Sequence, residues 1–122
     1  MDNRVLKCMY CETTNNLTQE HIVPKSLGGS KKKMNLGYAC IDCNQTKDDL
    51  LIPSVIEKYL SIPIALNWIH GRMIKLITKS NKLIDKCAYE KETSEDDMKK
   101  IDYYDHKISQ LMNAYNALKK FK

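Results

Sequence analysis

Four of the five cysteines in this chain of 122 residues form two C-x-x-C pairs, Cys8/Cys11 and Cys40/Cys43, with 28 residues between them. This spacing constrains the fold more than any other feature. A C-x-x-C turn can present two thiolates to one side of a metal ion, and a second pair completes a tetrahedral shell around Zn²⁺. The segment between them becomes a loop pinned at both ends. A module of roughly 40 residues seldom folds on apolar burial alone, so the metal supplies the missing stability. Four thiolates leave no position for water, so such a zinc is structural. The start of the chain, Met1-Asp2-Asn3-Arg4, lacks the apolar run of a secretory signal, and this favours metal over disulfide for paired cysteines. The fifth cysteine, Cys87, lies in a helical pattern and reads as a small buried apolar residue.

The pinned loop has the pattern strand, loop, strand, helix. Leu17 to Val23 is an expected strand closed by Pro24. Gly28-Gly29 and Ser30-Lys31-Lys32-Lys33 form a turn and loop, and Leu36 to Ala39 is a second strand. Asp42 is an expected N-cap for a helix running to about Leu50. Beyond it, Pro53-Ser54 opens a short helix to about Leu60, and Ser61 caps a long one with Pro63 in its first turn. Apolar residues recur at Ile62, Leu66, Ile69, Met73, Leu76, Leu83 and Cys87, interrupted by Ser80. Ser94 followed by Glu95, Asp96 and Asp97 starts another helix, with acidic groups over its positive end. Its stripe is Ile101, Tyr104, Ile108, Leu111, Tyr115 and Leu118. Two such helices joined by Tyr89 to Thr93 predict an antiparallel hairpin, with stripes longer than a small zinc module can cover. The expected fold class is therefore α+β, a ββα module at 1–50 followed by a helical extension at 51–122. The exposed part of the stripes is an expected surface for a second copy or another protein.

Within the pinned loop, Thr18-Gln19-Glu20-His21-Ile22-Val23-Pro24-Lys25-Ser26-Leu27-Gly28-Gly29 resembles the first half of the HNH endonuclease motif. Asn35-Leu36 resembles its middle asparagine position, and Cys40-Ile41-Asp42-Cys43-Asn44-Gln45-Thr46-Lys47 its closing knuckle and helix. The resemblance covers about 40 of the 122 residues. It implies a ββα-metal fold and a DNA-cutting activity. It implies that His21 is the general base, that Glu20 and Asn44 hold a catalytic Mg²⁺ or Mn²⁺, and that Asn35 braces the loop presenting His21. Lys47, one turn beyond Asn44, is placed to reach a phosphate. The chemistry is consistent: histidine titrates near 6.5 and can be a neutral base at physiological pH, and a hard cation prefers oxygen ligands. Two positions depart from the commonest pattern: Asn44 stands where His is usual, and Glu20 where Asp is. Adjacent strand residues point to opposite faces, so Glu20 and His21 would need a local distortion to converge.

Charge adds little. The chain carries 20 Lys+Arg against 15 Asp+Glu, a net of +5, and a zinc tetrathiolate lowers this to about +3. Two local concentrations stand out. Lys31, Lys32 and Lys33 lie near the expected active site, either on phosphates or in a solvated loop. Arg72, Lys75, Lys79, Lys82 and Lys86 line one flank of the first long helix, either as a rail for a phosphate backbone or facing Asp97, Asp102 and Asp105. No apolar stretch is long enough to span a membrane, so a cytoplasmic or nucleoid-associated protein is expected, or one in a host cytoplasm if phage-encoded. Three functions fit: a metal-dependent DNA endonuclease, an inactive zinc module for DNA binding or assembly, and a ribonuclease, since no residue here reads a 2′-hydroxyl. The family occurs in phages, restriction systems and mobile introns, and the resemblance does not choose among them.

Overall fold

A computed structural model describes residues 6–47, 51–90 and 94–121. Its first half is a two-stranded antiparallel ribbon, β1 (Leu17–His21) and β2 (Leu36–Cys40), followed directly by α1 (Ile41–Lys47). The ladder pairs Leu17 with Cys40, Gln19 with Tyr38 and His21 with Leu36. β1 stops two residues short of the expected Val23, and the reason is a competing partner. The Asn35 side chain accepts from the Val23 N–H at 2.8 Å and donates to its carbonyl at 3.0 Å, so Val23 has no backbone groups left for a ladder. Asp42 lies in the first turn of α1 rather than at its cap, where its charge still favours the helix N-terminus. The expected run of α1 to Leu50, and residues 91–93 of the hairpin connection, lie outside the described residues, as does the side chain of Lys47.

The second half is helical: α2 (Pro53–Tyr59), α3 (Ile62–Glu90) and α4 (Glu95–Lys120). Ser61 and Ser94 act as the sequence predicts. The Ser61 hydroxyl accepts from the Ile64 N–H at 3.5 Å, and the Ser94 hydroxyl from the Asp97 N–H at 3.1 Å. Lys119 and Lys120 in the last turn of α4 complement the acidic residues in its first. α3 runs unbroken for 29 residues, about 43 Å at roughly 1.5 Å per residue. The hairpin is antiparallel. Lys86 near the end of α3 meets Asp97 near the start of α4 at 3.8 Å, while His70 and Tyr115 bring their rings to 6.4 Å at the other end. Buried Cys87 fits its expected apolar role, with its Sγ 4.0 Å from the Asp97 carboxylate.

The two halves share one core. Ile22, Val23 and Met9 pack in the same cluster as Val55 and Ile56 of α2, Ala65, Ile69 and Leu76 of α3, and Leu111 and Leu118 of α4. Each fully buried Ile or Leu here contributes about 1.5–3 kcal/mol relative to exposure. The hairpin stripes thus cover one another and also the start of the loop after β1. A second line on α3, Ile74, Ile77 and Ile84, stays exposed. Among the described residues no helix is long and apolar enough to cross a membrane.

Candidate functional site

The four paired cysteines converge. Their Sγ atoms all lie within 4.8 Å of one another, and Cys11 and Cys40 are 3.6 Å apart. A Zn–S bond of about 2.3 Å requires tetrahedral sulfurs about 3.8 Å apart, so this geometry and all-sulfur donor set fit a structural zinc. The turns are built to hold it. Glu12 donates its N–H to the Cys8 carbonyl at 3.0 Å, aided by a left-handed Glu12 at φ 67°, and Met9 ties the first knuckle to β2 through Tyr38 at 2.9 Å. Backbone N–H groups of Tyr10 and Cys43 point at the sulfurs of Cys8 and Cys40, each at 3.4 Å. Burial raises the Cys8 thiol, yet the backbone N–H groups of Cys11, Cys40 and Tyr10 outweigh it and bring it down to about 6. Cys43 is pushed up to about 12 by the neighbouring thiols of Cys40 and Cys11. Without a cation, four thiols this close cannot all ionise, and a divalent ion removes that repulsion.

His21 is the last residue of β1 and is partly buried. The chain that follows folds back on itself: the Pro24 carbonyl accepts from Leu27 and Gly29 at 3.0 Å each, and Ile22 donates to the Asn35 carbonyl at 2.8 Å. Asn35 sits at the centre, with no exposed surface. Besides holding Val23, it donates to the Ser30 carbonyl at 2.8 Å, so one side chain clamps both ends of the loop after His21. Gly29 is required there, because a Cβ would fall on the Val23 carbonyl.

Glu20 pairs with Gly37 and His21 with Leu36 in an unbroken ladder, so their side chains leave opposite faces of the ribbon. The local distortion that their convergence would need does not occur within β1. Tyr10 is a neighbour that the sequence did not single out. Burial raises its phenol well above the ordinary range, and the Glu20 carboxylate and the thiols of Cys8 and Cys43 raise it further. Its position between the cysteines of the first knuckle was the available signal. Asn44 follows Cys43 directly in α1 and is partly buried.

The basic residues separate. Lys31, Lys32 and Lys33 are exposed on the loop before β2. On α3, Lys86 pairs with Asp97, as the solvated-flank reading expects at that end. Arg72 and Lys75 instead face the Gly28–Gly29 turn across a cavity that Lys25 also lines, and Lys79 lies outside it. Lys25 was not singled out in the sequence, because its role depends on a helix more than 40 residues away.

Residues 8–60 match the model of a family described as HNH endonuclease. The span includes both thiol knuckles, the ribbon, α1 and α2, and is less than half of the chain. It bears out the resemblance carried by residues 18–47, and together with the four-cysteine cluster it supports a nuclease-type HNH module over this span. No curated protein and no solved structure matches the chain.

Proposed function

We propose that the HNH module spanning residues 8–60 is a metal-dependent endonuclease that hydrolyses DNA phosphodiester bonds, with His21 as general base. The observation that carries this reading is the family match over a segment whose loop after His21 is clamped by a buried, fully engaged Asn35. His21, as neutral imidazole, accepts the proton of the attacking water. Asn35 holds the backbone beyond His21 so that the imidazole keeps its place when substrate arrives. Glu20 and Asn44 would hold Mg²⁺ or Mn²⁺ through a carboxylate and an amide oxygen, as the family resemblance implies. Because Glu20 and His21 leave opposite faces of β1, their joint action on one phosphate requires the ribbon to twist at this pair when metal and substrate bind. Bound there, such an ion would neutralise charge on the phosphate and the departing 3′ oxygen, leaving 3′-hydroxyl and 5′-phosphate ends. The four-cysteine zinc has no part in the chemistry and supports the fold.

Plasmid cleavage with Mg²⁺ or Mn²⁺ tests the reading. Wild-type protein should nick or linearise the DNA, and His21→Ala should lose the activity. Equal cleavage by both proteins removes His21 from the mechanism. DNA binding without cleavage under either metal would favour an inactive binding or assembly module, and cleavage of RNA alone would move the substrate class. The exposed Ile74, Ile77 and Ile84 on α3 favour self-association or a protein partner through the hairpin as a second property. Sedimentation showing only a monomer at micromolar concentration would count against self-association. The site of action under this reading is the cytoplasm, at DNA.

A further inference from the structure

We infer that the cavity between the Gly28–Gly29 turn and α3 is a docking pocket for a backbone phosphate of a nucleic-acid strand, which sets the register of the substrate relative to His21. The inference rests on the nuclease reading for its biological meaning, but its observations are separate. The cavity holds about 350 Å³, at the small end of ligand pockets, and its charged lining is all positive: Lys25 from the loop after His21, and Arg72 and Lys75 from α3. None of the three is in an ion pair among the described residues. Arg72 also has a buried Nε with no hydrogen-bond partner among them. A buried donor is rarely left unpaired without a reason, and a guanidinium N–H beside two lysines calls for an anion.

The turn is shaped for this close approach. At Gly28, whose φ is 94°, a Cβ would sit 2.5 Å from the Trp68 carbonyl oxygen and 2.9 Å from the Arg72 Cβ. Any side chain there would lift the turn off α3 and separate Lys25 from Arg72 and Lys75. The pocket is also tied to the active-site loop. Lys25 lies four residues after His21, so their Cα atoms are at most about 14 Å apart even if the chain were fully extended. DNA carries one charge per roughly 3.4 Å of each strand, so a phosphate held here is within a few nucleotides of a bond attacked beside His21. Arg72 and Lys75 lie outside the span matched by the nuclease family, so the pocket joins the HNH module to the appended hairpin. Its cations are positioning residues: phosphate contacts fix register and orientation without reading sequence.

Trp68 is the only tryptophan of the chain and lines the cavity, so its fluorescence reports on this site. The full chain carrying His21→Ala, without added Mg²⁺ or Mn²⁺, is titrated with a short DNA duplex and, separately, with inorganic phosphate. The duplex should change Trp68 emission. Arg72→Gln and Lys25→Gln should each weaken duplex binding about tenfold at low salt and reduce the salt slope by about one, with little dependence on sequence. Lys100→Gln, the same charge change on exposed α4, should leave both unchanged. In the active protein Arg72→Gln should raise KM and leave kcat in place. Two variants guard against one that fails to fold, and the circular dichroism spectrum identifies it. Unaltered duplex affinity in folded Arg72→Gln and Lys25→Gln overturns the pocket, as does a silent Trp68 under saturating duplex. A response to inorganic phosphate with none to the duplex overturns the backbone assignment. Cleavage by Arg72→Gln with unchanged KM sinks the pocket and spares the nuclease. Cleavage surviving His21→Ala, with Arg72→Gln still weakening binding, does the reverse.

Discussion

Asn35 uses its amide at both ends, accepting from one backbone group and donating to two, in a site with no solvent access. Truncation to alanine leaves the N–H and C=O of fully buried Val23 without partners. Each such loss costs about 1–3 kcal/mol, so Asn35→Ala should destabilise the zinc-loaded protein by about 2–5 kcal/mol in urea unfolding. A loss under about 1 kcal/mol would show that water replaces the clamp. Gly29→Ala should damage the same loop by a different route, since the added methyl meets a carbonyl that Asn35 holds in place. At this scale the sequence was informative where a motif carried the residue. Asn35 and the four cysteines stand at spacings that name their surroundings. Tyr10 and Arg72 do not, because what matters about them is a neighbour supplied by tertiary packing: Glu20 for one, the Gly28 turn for the other.

The elements divide in the same way. The starts of α3 and α4 were legible because a cap is a local device, and Ser61 and Ser94 bond to groups three residues away, whereas Asp42 lies inside α1 and not at its cap. The end of β1 was not, since it is set by an asparagine 12 residues downstream that competes for the ladder. Ser94→Ala removes the cap of α4 and should cost about 1 kcal/mol in urea unfolding, with Ser94→Asp restoring most of it. The two knuckles, as an element, make a pH prediction. In the metal-free protein Cys43 is pushed up to about 12 and Cys11 is also raised, so both carry protons at neutral pH, while Cys8 at about 6 does not. Zinc must displace those protons, so its affinity should fall as pH is lowered, by about tenfold per unit for each proton released. The fall should steepen below about pH 6, where the Cys8 proton joins them. Competition with a chelator between pH 5 and 8, on the order of this window, measures the slope; an affinity flat across the range would contradict the thiolate assignment.

Among the described residues the main apolar core spans both of the compositional halves that the sequence suggested, with a smaller cluster of Cys8, Ala39 and Cys40 at the knuckles. Composition and motif change near residue 50, and the sequence could not show that Met9, Ile22 and Val23 pack under α2, α3 and α4. The consequence is energetic. In a free 6–47 fragment, Ile22 and Val23 would lose the helices that cover them, at about 1.5–3 kcal/mol each, from a module already too small to be stable without metal. The zinc and the hairpin therefore support the same loop from opposite sides, one through the knuckles and one through the core. Heating the zinc-loaded chain should give a single transition, with helix loss by circular dichroism coinciding with the change in Trp68 emission. Removing zinc with a chelator should lower the midpoint of the whole transition and not only of the ribbon. Ile56→Ala, which opens a cavity in the shared core, should cost about 2–5 kcal/mol and weaken zinc retention, although α2 supplies no ligand. Two separate transitions, with zinc loss leaving the hairpin melt untouched, would mean that the halves fold independently. The phosphate pocket would then join two independently moving parts, and the register it sets relative to His21 would be lost.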